Sequence, residues 1–363
     1  MNGIDRISTG SVKAMQAINK KPVYFLTMNG KTSPTITVKG ENRSDGGSIA
    51  VRDISTELKW SGKLLKNIKD MEVEPVVMDP TEVFIFKTRA RELFKGESGK
   101  QLPLTISGLT WVKLPYVKGM TESDLFSRNK ENDWETRGKG VKKMFKKFSD
   151  PKTWIGLGRV MALDIFDGNL AQFNSNGSWI NNGKDMFHKI SKGIKVVGLD
   201  TFDVKNVPNA HLNKPVTPQV RSQLDLLISD IKMREFAKTI TTEIAEHILH
   251  AMSKVVGGGI DDFVVIAGGR KITISRKGPA DFFDAYIDDL CLGLTTTRDE
   301  IKRHLLEKVW QYETQWKTAS RSVTAMRGAK ATNSAPANFV ANPCVKIVPQ
   351  SIKDRMRYCG WIN

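Results

Sequence analysis

The chain has 363 residues, 40% of them hydrophobic, and carries 56 Lys and Arg against 39 Asp and Glu, a formal net charge of +17. That length is too great for one small core and predicts two domains or lobes. The charge favours a polyanionic partner, such as a nucleotide, an inositol phosphate, an anionic membrane surface, an acidic protein or nucleic acid. No apolar run approaches the roughly 18 residues of a membrane span, and Cys291, Cys344 and Cys359 lack C-x-x-C spacing, which indicates neither a disulfide framework nor a zinc knuckle. A reducing, cytoplasmic setting is expected, and the polar start MNGIDRISTG lacks the apolar core of a signal peptide.

In chain order, VYFLTMNGKTSPTITVKGE reads as two strands around Asn29-Gly30, the dipeptide that favours a tight hairpin turn, and the second strand ends in Thr37-Val38-Lys39-Gly40. After the polar stretch ENRSDGG, the positions of Ile54, Leu58, Trp60, Leu64, Leu65 and Ile68 predict a helix over 48–69. VEPVVM and TEVFIFKT read as two further strands, followed by LTWVKLPYVKGMTESDLF. Beyond residue 120 the pattern becomes helical, with candidates over 121–128 and 138–148. Asp150-Pro151 supplies an N-cap and a first-turn proline for a helix over 151–166. That helix runs into DIFDGNLAQFNSNGSWIN, and VVGLDTFD follows as a strand ending in Asp. Amphipathic helices are expected over 217–255, 278–294 and 297–317, with a hairpin in DFVVIAGGRKITISRKG between the first two. From 318 the chain is rich in Ser, Ala, Asn and basic residues and reads as a mobile tail.

The expected fold class is therefore α+β, with a strand-rich small lobe over 1–116, a helical large lobe over 117–317 and a basic tail over 318–363. Lys39 ends a β-branched strand, and Glu57 falls three residues after Ile54 on the inward flank of the next helix. A lysine so placed can hold the α and β phosphates of a nucleotide, and the glutamate can fix it by pairing. Either residue alone reads equally as a surface charge.

The order of these features resembles that of protein and lipid kinases. LPYVKGMTESDL, with Tyr116 and Val117, is similar to the kinase hinge that passes beside adenine. LDIFDGNLAQFNSNGSWIN resembles the catalytic loop of the atypical kinases, a group that includes phosphoinositide kinases, Golgi secretory-pathway kinases and kinase-like bacterial effectors. Their pattern is D-x-x-x-G-N-x-D-R-x-x-x-N, followed by a hydrophobic strand ending in Asp. Asp164, Gly168, Asn169 and Asn176 match it, and Asp200 follows VVGL. The resemblance implies a two-lobed kinase-like fold, ATP and Mg²⁺ as cofactors, Lys39, Glu57, Tyr116 and Val117 around the nucleotide, and Asn176 and Asp200 on the metal, where hard oxygen ligands suit Mg²⁺. The effectors in the group also suggest delivery into a host cytosol.

The chain departs from the pattern at its centre, where Ala171-Gln172 replaces Asp-Arg. Loss of a general base typically costs about 10²- to 10⁴-fold in rate, although positioning and metal supply much of phosphoryl transfer. Three readings stay open. Asp167, near Asp164, replaces the missing base; or the fold transfers a nucleotidyl group in another orientation; or the chain is a pseudokinase scaffold. Asp, Asn and Gly are also the ordinary residues of turns, so DGN and NSNG alone would not carry a site.

The basic character is concentrated in TRGKGVKKMFKKF, where Val141, Met144, Phe145 and Phe148 form one helical stripe and Lys142, Lys143, Lys146 and Lys147 face away. This reads either as a solvated helix face or as a docking site for inositol phosphate or an anionic membrane. Nucleic acid is the partner supported least, because no recognition motif accompanies the charge. His247 and His250 lack an H-E-x-x-H pattern, and the glycines at 257–259 lack the Lys-Ser or Lys-Thr of a phosphate loop.

Overall fold

The computed structural model describes residues 3–9, 23–42, 76–93, 109–116, 119–121, 127–128, 134–135, 148–167, 186–190, 194–198, 216–256, 262–267, 270–275, 280–328 and 350–363. These residues form a mixed α and β structure with two hydrophobic cores. The first core lies under an antiparallel sheet of β1 (Ile4–Thr9), β2 (Val23–Met28), β3 (Ile36–Asn42), β4 (Val76–Val77) and β5 (Leu109–Pro115), in the order β1-β2-β3-β5-β4. Between β2 and β3, Asn29 and Gly30 take φ of 52° and 69°, and the Lys31 amide donates to the Met28 carbonyl at 3.1 Å. This is the tight turn that the Asn-Gly pair predicts, although the ladder resumes only at Leu26 opposite Ile36.

TEVFIFKT is not a strand. It belongs to helix α1 (Pro80–Leu93), and the reason lies at its start. The Glu82 amide donates to Asp79 Oδ1 at 2.8 Å and the Asp79 amide to Glu82 Oε2 at 3.3 Å, a reciprocal cap with Pro80 in the first turn. Phe86 and Ala90, one turn apart, are then buried against the sheet. The Phe86 ring lies 5.4 Å from Tyr24 and 5.3 Å from Trp111 between centroids. Tertiary burial of these aromatics, together with the cap, outweighs the strand propensity of the run.

Other expectations need adjustment. The predicted helix over 121–128 is contradicted at both ends, by β6 (Gly119–Thr121) and by β7 (Ser127–Arg128), which pairs with β8 (Trp134–Glu135). Of VEPVVM, Val76 and Val77 pair with β5, and 73–75 lie outside the described residues. The predicted helix over 48–69 and most of that over 138–148 lie outside the described residues.

The second core is helical. Helix α2 (Pro151–Asp167) starts where expected, with the Lys152 amide donating to Asp150 Oδ1 at 2.9 Å. The indole Nε1–H of Trp154 donates to the Phe148 carbonyl at 2.7 Å, and Trp154 stacks on Tyr286 at 5.3 Å. Leu157, Val160, Met161, Leu163 and Phe166 are all buried, so α2 is surrounded by protein along its second half. Beside it run β9 (Met186–Ile190) and β10 (Ile194–Gly198), which form a three-stranded sheet with β6. The segment predicted as one helix over 217–255 breaks at Ser229 into α3 (Pro218–Ile228) and α4 (Asp230–Val256). The hairpin of β11 (Asp262–Ala267) and β12 (Arg270–Ser275) forms as predicted.

The two helices expected over 278–294 and 297–317 are one, α5 (Ala280–Gly328). Thr295 does not cap a new helix; its hydroxyl donates back to the Cys291 carbonyl at 2.9 Å. α2 and α5 cross at Gly158 and Gly293. A Cβ on Gly158 would lie 2.2 Å from the Leu290 carbonyl oxygen, and one on Gly293 would lie 2.1 Å from that of Ile155.

The reading of everything beyond 318 as a mobile tail fails at both ends. α5 continues to Gly328, and α6 (Gln350–Tyr358) buries Ile352 and Met356 in the helical core. These two residues are one turn apart, and burying them stabilises the docked helix against its basic composition. No helix among the described residues is long and apolar enough to cross a membrane.

Candidate functional site

Cross-strand partners share a face of a sheet, so the register assigns each side chain of the five-stranded sheet to one side or the other. Tyr24, Val38 and Lys113 are opposite one another on the side that α1 covers. One residue on, Val23, Lys39 and Val112 align on the other side, followed by a row of Phe25, Thr37 and Leu114. Tyr116 extends this second face. Its amide donates to the Thr35 carbonyl at 2.9 Å, and its ring meets Phe25 edge-on at 5.5 Å. Lys39 is thus a half-buried cation on a mixed face, where Thr37 and, through the β1–β2 pairing, Ser8, Thr27 and Arg6 join the apolar and aromatic side chains.

The expected pairing of Lys39 with Glu57 rests on a residue outside the described ones, while a different lysine–glutamate pair joins sheet and helix elsewhere. Lys113 of β5 pairs with Glu82 of α1 on the opposite face from Lys39, and the same carboxylate completes the α1 cap. Both side chains are partly exposed, and the pair fixes the start of α1 on β5. Lys87, an alternative lysine if FIFKT were a strand, lies with its ammonium 5.6 Å from the Trp111 ring centre, also on the α1 side. It does not share a face with Lys39.

On the helical side, Asp164 is 1% exposed within α2 and engages another group inside the protein. Asp167 is the last residue of that helix. Gly156 packs α2 directly on β10, because a Cβ there would sit only 3.2 Å from Val196 Cβ. The helix that carries Asp164 and Asp167 and the strand that precedes Asp200 are therefore neighbours in one unit. Glu57, Val117, Asn176 and Asp200 lie outside the described residues, as do Ala171 and Gln172. Among the described residues no cluster of three or more His, Cys, Asp or Glu is arranged to hold a metal. The expected ligands Asn176 and Asp200 still offer the oxygen chemistry that Mg²⁺ takes.

Sequence reasoning missed the C-terminal contribution. Arg355 is buried at 1% exposure, and Trp361 stacks on Phe166, the residue before Asp167. The available signal was the Ile352 and Met356 spacing followed by Cys-Gly-Trp, a helix with a glycine stop and an aromatic beyond it. Burial pushes the Cys359 thiol up to about 12, so it is protonated at neutral pH and is not a nucleophile. Compared with protein-family models, curated proteins and solved structures, the chain matches none.

Proposed function

We propose that this chain is a kinase-like transferase that binds ATP with Mg²⁺ and transfers a phosphoryl or nucleotidyl group to an acceptor. The observation that carries the proposal is Lys39 on the sheet face opposite α1, beside Val23, Val112 and the Phe25–Tyr116 ring pair. An ammonium beside apolar and aromatic side chains suits a planar base joined to phosphates. Lys39 would hold phosphate oxygens, Glu57 would orient it, and Tyr116 with Val117 would line the base. Asn176 and Asp200 would hold Mg²⁺, which when bound neutralises phosphate charge. Asp167 would orient or deprotonate the acceptor, and Asp164 would brace the loop from inside the core. The basic excess of the chain fits an acidic protein, an inositol phosphate or an anionic membrane surface as acceptor or partner.

The Ala171-Gln172 departure favours one other reading, a pseudokinase scaffold that binds an anionic partner without catalysis. Titrations with ATP and Mg²⁺ test the shared nucleotide site. Lys39→Ala is expected to weaken ATP affinity about tenfold or more, as loss of a charge-assisted phosphate contact should. Lys87→Ala should leave affinity unchanged and only reduce stability slightly, through its lost ring contact. Glu57→Ala should act through Lys39, so the Lys39→Ala/Glu57→Ala pair should be little worse than the more damaging single. If Lys87→Ala proved the damaging change, the Lys39 face would not be the nucleotide site.

A further inference from the structure

The last turn of α2 carries both acids of the candidate site, and the C-terminal segment packs against it. A helix end leaves its final carbonyls without intrahelical partners and frays unless something holds it. Here the holder comes from far along the chain. The Tyr358 hydroxyl donates to Asp225 of α3 at 2.7 Å, and the Arg221 guanidinium lies 5.8 Å over the Tyr358 ring. Lys353 reaches Glu313 of α5 at 3.9 Å. Anchored in this way, α6 ends in a glycine stop. The Gly360 amide donates to the Arg357 carbonyl at 2.9 Å and the Trp361 amide to the Met356 carbonyl at 2.8 Å, with Gly360 at φ 66°. This left-handed step turns the chain back and sets Trp361 flat on Phe166, with centroids 5.4 Å apart and planes 6° from parallel. Phe166 is itself buried and lies between Asp164 and Asp167.

We propose that Trp361, aimed by Gly360, is a positioning residue that fixes the last turn of α2 and with it the backbone that carries Asp164 and Asp167. If α6 served only to fill the core, Trp361 would matter no more than any other buried apolar residue, and its loss would loosen the whole helical unit evenly. A positioning role predicts a local effect instead. Its consequence for turnover rests on the function proposed above, whereas the positioning itself does not.

Hydrogen exchange on the full-length chain separates the two. Wild type, Trp361→Ala, Trp361→Phe and a core control, Ile301→Ala, are compared under conditions in which each remains folded. In Trp361→Ala, amides over 160–167 should exchange about tenfold faster than in wild type, the scale of one lost aromatic pair, and Trp361→Phe should restore most of the protection. Ile301→Ala should raise exchange across the helical core with no excess at 160–167. If Trp361→Ala unfolds, Gly360→Ala supplies a milder version. No atom would meet its Cβ within 4 Å, so only the left-handed backbone is disfavoured, and Gly360→Asn should be better tolerated. Steady-state turnover with ATP and Mg²⁺ gives the second readout, expected to fall alongside the protection while ATP affinity holds. Exchange at 160–167 no faster than in Ile301→Ala would overturn the positioning role, and wild-type turnover in Trp361→Ala would overturn its link to the site. Wild type that shows the exchange pattern but binds no ATP would retain the positioning role and refute the nucleotide reading.

Discussion

Gly158→Ala and Gly293→Ala are each expected to lower the thermal midpoint by roughly 5–10 °C, the cost of overpacking a close helix crossing by a few kcal/mol. The obstacle is backbone, not side chain. The added Cβ would meet the Leu290 carbonyl oxygen at 2.2 Å or the Ile155 carbonyl oxygen at 2.1 Å, and neither can rotate away. α2 and α5 would have to separate, opening the contacts around Leu157, Leu290 and Leu294. Alanine gains about 1 kcal/mol over glycine in helix propensity, which offsets only part of that. Gly156→Ala is the internal control. Its Cβ would come 3.2 Å from the Val196 Cβ and Cγ2, which requires a shift of only a few tenths of an ångström, so its midpoint should fall less than those of the two crossing variants. Thermal unfolding followed by circular dichroism measures all three, and an unperturbed Gly293→Ala would show that the crossing is looser than described.

Asp167→Asn is expected to reduce turnover by about a hundredfold or more while ATP affinity holds, because only proton transfer or acceptor orientation is lost. Asp167 stands at the end of a helix whose preceding residue, Phe166, is locked into the core, so its backbone has a fixed origin. Ala171→Asp is the complementary change. In an enzyme with a relocated base it should help little, since it brings a second carboxylate towards the metal. In a pseudokinase with intact metal ligands it should restore some transfer. Steady-state kinetics with ATP and Mg²⁺ read both, and turnover unchanged in Asp167→Asn would remove Asp167 from the chemistry.

The elements that sequence made legible are those with local signals. Asn29-Gly30 announced the β2–β3 turn, and Asp150-Pro151 announced α2. α1 was misread because Val83, Phe84, Ile85 and Phe86 look like a strand. The competing signal, Asp79-Pro80 with Glu82, was on the page and is what the structure uses. The continuity of α5 was hidden by Thr295, Thr296 and Thr297, which suggest a cap, until Thr297 is seen to be buried. The C-terminal clasp was hidden by composition, since Arg355 and Arg357 suggest solvent and Arg355 is in the core. Long-range contacts such as Trp361 on Phe166 have no local signature at all. The same limit applies to the sheet: the long-range Lys113–Glu82 pair between β5 and α1 had no counterpart in the sequence reading.

The most direct test of the nucleotide-binding claim is thermal melting of the full chain with ATP and Mg²⁺, for wild type and Asp200→Ala. A ligand that binds only the folded state raises the midpoint by mass action, and at about 100 times its dissociation constant it adds about 2.7 kcal/mol. Wild type should therefore shift upward with ATP and Mg²⁺ together and much less with ATP alone, and Asp200→Ala should keep the unliganded midpoint but lose the metal-dependent shift. A wild-type midpoint that no nucleotide and metal can move would contradict the claim.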